Sequence, residues 1–74
     1  MNANTMPSHL ENVIRYYLKA LATIDAYRPE SQAWINANLE RDMWIEIWED
    51  SRRTTGTLEN AARRFEERQS GAAA

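Results

Sequence analysis

Residues 34–48 read Trp-Ile-Asn-Ala-Asn-Leu-Glu-Arg-Asp-Met-Trp-Ile-Glu-Ile-Trp and hold all three tryptophans of the chain. Apolar residues recur here at spacings of three and four, which is a helical period. With Trp34 at zero and about 100° per residue, the side chains sort into sectors. Trp34, Ala37, Trp44, Ile45 and Trp48 share one arc of about 100°, with Arg41 projecting into its middle. Ile35, Leu39, Met43 and Ile47 form a second arc, about 120° wide. Asn38, Asp42, Glu49 and Arg53 fill one gap between the arcs, and Glu40 lies in the other. A helix apolar on two faces is covered on more than one side.

Working outward, Arg28-Pro29 stops the preceding segment, because the residue before a proline is pushed out of the α region. Pro29 then suits the first turn of the central helix, where its missing N–H costs nothing. On the far side, Gly56 fits a left-handed C′ position, and Arg52 and Arg53 suit the negative end of the helix dipole. These signals bound the central helix at about 30–54. Ser8-His9-Leu10-Glu11 reads as a capping box for an earlier helix at about 9–27. Its apolar stripe is Val13, Ile14, Tyr17, Leu18, Leu21 and Ile24, widened by Tyr16, Ala20 and Tyr27. Glu11, Arg15 and Lys19 form a solvated ladder opposite. Thr57 caps a third helix at about 58–69 with a thin stripe of Leu58, Ala61, Ala62 and Phe65, and with Glu59/Arg63 and Arg63/Glu67 pairs on its outer side. The expected architecture is all-α: a helical hairpin plus a short third helix, completed by dimerisation. Residues 8–69 form the single domain, 1–7 a flexible arm and 70–74 a flexible tail.

Composition narrows the function classes. A chain of 74 residues is one small domain, and at this size a single core is marginal without staples or association. There is no cysteine and only one histidine. That removes a disulfide framework, a thiolate metal cage and a His-rich metal site within one chain. A formal charge of −2 argues against a general nucleic-acid binder and a basic membrane-surface helix. No stretch approaches the roughly 20 apolar residues of a membrane span, and no basic-then-apolar start marks a secretory signal. The expected setting is cytoplasmic.

Catalysis finds few parts. A Ser or Thr nucleophile needs a base in reach, and His9 is the sole imidazole, placed at a helix start. No glycine-rich loop exists to hold a phosphate. Asp42, Glu46 and Glu49 share one side of the central helix, but the Glu-x-x-His pairs of di-iron bundles are missing. Those carboxylates read as a solvated face, or as one that complements a basic partner. No enzyme activity, cofactor or metal is expected.

Thr57-Leu58-Glu59-Asn60-Ala61-Ala62-Arg63-Arg64-Phe65 resembles the opening of a helix in many helix-turn-helix domains, where paired alanines pack closely. The resemblance covers nine residues and implies a nucleic-acid module using Arg52, Arg53, Arg63, Arg64 and Arg68. The chain departs from that pattern: it ends before a recognition helix can follow, and the preceding helix is long and acidic.

The favoured expectation is a non-catalytic interaction protein, a homodimer that binds another protein. It would act as an inhibitor, of the kind phages direct at host machinery, or as an accessory subunit. The expected contact residues are Trp34, Arg41, Trp44, Ile45 and Trp48, because Trp and Arg are enriched where proteins meet. Arg41 is expected to stack on indole rings or to pair with a partner's carboxylate. The aliphatic arc is expected to face the chain's own core.

Overall fold

The computed structural model describes residues 8–51 and 56–73. They form three helices, α1 (Ser8–Ala26), α2 (Gln32–Asp50) and α3 (Leu58–Ala73), and contain no strand. The fold is all-α, as the periodicity predicts. Helices α1 and α2 form a hairpin with the largest of the three helix interfaces, and α3 packs mainly on α1.

The α1–α2 turn is built by a signal other than the expected one. Pro29 lies in the turn and does not open α2. Glu30 follows it with a left-handed φ of 73°. Ser31 is the true N-cap: its Oγ accepts from the Trp34 N–H at 3.3 Å and donates to the Arg28 carbonyl at 2.7 Å. A serine at this position satisfies one of the four orphan N–H groups of a helix start.

At its other end α2 stops at Asp50, with the Ser51 N–H bonded to the Trp48 carbonyl at 3.1 Å. The expected end at residue 54 and the dipole role of Arg52 and Arg53 fall on residues 52–55, outside those described. Gly56 does adopt the left-handed region, at φ 76°. It leads into α3 and does not cap α2, whose C-cap is Ser51. Thr57 caps α3 as expected, its Oγ1 accepting from the Asn60 N–H at 3.2 Å. Helix α3 then runs to Ala73, beyond the expected stop near residue 69.

The core is a single cluster of Leu10, Val13, Ile14 and Tyr17 from α1, Trp48 from α2, and Leu58, Ala61 and Ala62 from α3. Leu18, Leu21, Trp44, Ile45 and Phe65 pack against it. Trp48 is only 2% exposed, and the small side chains of Ala61 and Ala62 leave room beside it for the largest residue type. The Arg15 guanidinium lies 5.5 Å from the centre of the Phe65 ring, joining α1 to α3. The Cα envelope measures 44 × 33 × 17 Å.

This arrangement reverses the expected roles of the two α2 faces. The tryptophan arc turns inward, and the aliphatic arc faces out: Leu39 is 63% exposed, Met43 45%, Ile47 40% and Ile35 39%. The physical reason is area. An indole buries about 150–250 Å², more than a single aliphatic side chain, so the fold gains most by covering tryptophan. Trp48→Ala is therefore expected to unfold the domain at room temperature, since removing a buried aromatic costs about 3–5 kcal/mol. Leu39→Ala is expected to change stability by less than about 0.5 kcal/mol. Urea titrations followed by helical circular dichroism would check both.

Candidate functional site

Of the five residues singled out from the sequence, Trp44, Ile45 and Trp48 pack within the chain, while Trp34 and Arg41 are half-buried. Trp48 is at the centre of the core, and its Nε1–H donates to the Gly56 carbonyl at 3.1 Å. Trp44 is half-buried and stacks on Tyr16, with ring centroids 5.0 Å apart and planes 18° from parallel. The Trp44 Nε1 is buried with no hydrogen-bond partner among the described residues. Ile45 packs against the core cluster, and Trp34 is half-buried, its carbonyl accepting from Asn38 Nδ2 at 2.8 Å.

Arg41 does not stack on an indole among the described residues; it is half-buried and pairs with its exposed neighbour Asp42. Its Nε donates to Asp42 Oδ1 at 3.1 Å and its Nη2 lies 3.0 Å from the same oxygen. Burial of the Tyr17 phenol disfavours its ionised form, as does nearby Glu59, and Arg41 opposes them more weakly. The net result pushes the Tyr17 phenol above its ordinary value of 10.0.

The surface left open is the outer face of α2. Ile35, Leu39, Met43 and Ile47 recur at i, i+4 steps, so they form one continuous ridge about 18 Å long at 1.5 Å per residue. The row on one side of the ridge is Asn38, Asp42, Glu46 and Asp50; the row on the other begins Gln32, Asn36 and Glu40. Gln32 Nε2 donates to Asn36 Oδ1 at 2.8 Å, which ties that second edge together. Over its whole length α2 carries five carboxylates against one arginine, and all five are exposed. The sequence reading missed the exposure of this ridge by assigning it to the core. The usable signal was its edge: an aliphatic row beside a row of three carboxylates is poorly suited to burial against the chain's own core.

Other candidate chemistry is sparse. Among the described residues, no group of three His, Asp or Glu side chains is placed to hold a metal ion. His9 is exposed in the first turn of α1. Arg63 and Arg64 line a shallow cleft with Gly56, Asn60 and Glu67. Arg63 bonds Asn60 Oδ1 instead of the expected Glu59 or Glu67. The three arginines of α3 are balanced by Glu59, Glu66 and Glu67, so the described part of this region is not strongly basic. No described helix is long and apolar enough to cross a membrane. No family model matches the chain, no curated protein matches it, and no solved structure matches it.

Two outcomes follow from the inner face. A raised phenol pKa means that the folded state favours neutral Tyr17, so that contribution is full below about pH 10 and is lost as pH rises through the folded-state value. Tyr17→Phe is expected to show a shallower fall in stability as pH rises above about 10, read from urea midpoints, than the parent chain. Trp44→Phe is expected to cost less than Trp48→Phe. The first removes an N–H that lacks an acceptor, and such a group costs about 1–3 kcal/mol when buried; the second breaks a bond and strands the Gly56 carbonyl. Thermal melts of both variants would show the order.

Proposed function

We propose that this protein is a small non-catalytic interaction protein that binds another protein through the outer ridge of α2. The observation that carries the reading is the exposure of Ile35, Leu39, Met43 and Ile47 in one unbroken row. Single exposed apolar residues are ordinary on protein surfaces, whereas a contiguous apolar patch rimmed by polar groups marks a contact site. Full burial of each such side chain is worth about 1.5–3 kcal/mol, enough for four of them to anchor a complex. An amphipathic helix laid into an apolar groove is read through i, i+4 anchors of this kind. Bound in that way, the protein acts as an inhibitor by filling a groove that another helix uses, or as an accessory subunit that holds its target in one state.

The reading is tested with Leu39→Glu/Met43→Glu. Both side chains lie outside the core, so the variant is expected to keep the helical content and melting temperature of the parent. It is expected to lose at least tenfold in affinity for any protein partner that the parent chain retains from its native cell extract. A retained partner that binds the double variant as well as the parent would show that the ridge is not the contact surface.

A further inference from the structure

Resting on that reading, we infer that the ridge of α2 is shaped for a different protein bearing an apolar groove or helix face edged with lysine or arginine, and not for a second copy of this chain. The argument is the placement of charge along the ridge. Asp42, Glu46 and Asp50 follow one another at i, i+4 steps directly beside Leu39, Met43 and Ile47, and all three are exposed. The opposite edge offers Gln32, Asn36 and Glu40 and no cation. Arg41, the one arginine of the helix, sits toward the inner face and is engaged by Asp42.

Two-fold pairing through this ridge has two forms. With antiparallel helices, the axis lies across them in the interface plane and sets the carboxylate row of one copy beside the same row of the other. With parallel helices, the row faces Gln32, Asn36 and Glu40 of the second copy. In neither form does a carboxylate of α2 meet a cation of α2. Like charges set against each other at an interface discourage that pairing, while a complementary row steers encounter and fixes register. A basic row with helical i, i+4 spacing on the partner meets Glu46 and Asp50 and shares Asp42 with Arg41, since both rows then step about 6 Å at a time.

The experiment uses the full chain and two designed helical peptides that share a leucine row at i, i+4 steps. One carries lysine in the row beside it, the other glutamate. Binding is read by fluorescence anisotropy of the labelled peptides at 50 and 500 mM NaCl, and self-association by sedimentation equilibrium. The expected result is that the chain binds the lysine peptide at least tenfold more tightly than the glutamate peptide. High salt should narrow that gap severalfold, and the chain should sediment as a monomer. Asp42→Lys/Glu46→Lys/Asp50→Lys, checked for its fold by circular dichroism, is expected to reverse the preference. Equal binding of both peptides, abolished by Leu39→Glu/Met43→Glu, would overturn the charge inference and leave the ridge as a docking surface. A dimer that the same double variant dissociates would overturn it in favour of a second copy. Failure to bind either peptide, with a monomer at every concentration, would overturn both this inference and the proposed function.

Discussion

Burying one indole ring sets the way the three helices meet. Trp48 is the largest fully covered side chain, and every helix contributes to its cluster: Leu10, Val13, Ile14 and Tyr17 from α1, Leu58, Ala61 and Ala62 from α3. Its ring needs space, which the two alanines of α3 leave. Its N–H needs an acceptor, which the Gly56 carbonyl supplies just before α3 begins. The two requirements act on different parts of the chain and are satisfied by one placement of α3. In a domain of this size such a contact is a large share of the whole stability.

The rotation of α2 about its own axis follows from that contact. Once Trp48 points inward, the fixed angle between successive residues carries Trp44, Ile45 and Ala37 toward α1 and turns Met43 and Ile47 away from it. Tyr16 closes the edge of the inner face by stacking on Trp44. Among the described residues, Ile35, Leu39, Met43 and Ile47 stay exposed along this row. The exposed ridge is thus the geometric consequence of the core, set by the same helix that supplies the central tryptophan.

Electrostatics separates the two faces of α2 as clearly as burial does. The one arginine of α2 spans the two faces, near Tyr17, whose phenol burial pushes above its ordinary value, and paired with Asp42 of the outer row. Outside, exposed carboxylates line the aliphatic row without a cation of the same helix on the opposite edge. A surface with an apolar centre and one sign of charge at its edge discriminates between partners better than an apolar surface alone.

Much of this was legible in the residues themselves. The period of three and four set the three helices, Arg28-Pro29 ended the first, and Thr57 with Leu58, Ala61, Ala62 and Phe65 marked the cap and inner stripe of the third. Local signals of this kind depend on neighbours a few residues apart, so the sequence holds them in full. The Ser31 cap was equally local but was masked by Pro29, the stronger conventional signal of a helix start. The choice between the two apolar faces of α2 was of another kind. Angular sorting showed that there were two, one aromatic and one aliphatic, but both are hydrophobic. Choosing between them required knowing that Trp48 joins one cluster with residues of α1 and α3 and bonds the carbonyl of residue 56. That arrangement exists only when segments far apart in the chain are brought together, so the sequence determined the helices and their faces, and the tertiary structure decided which face was covered and which was left exposed.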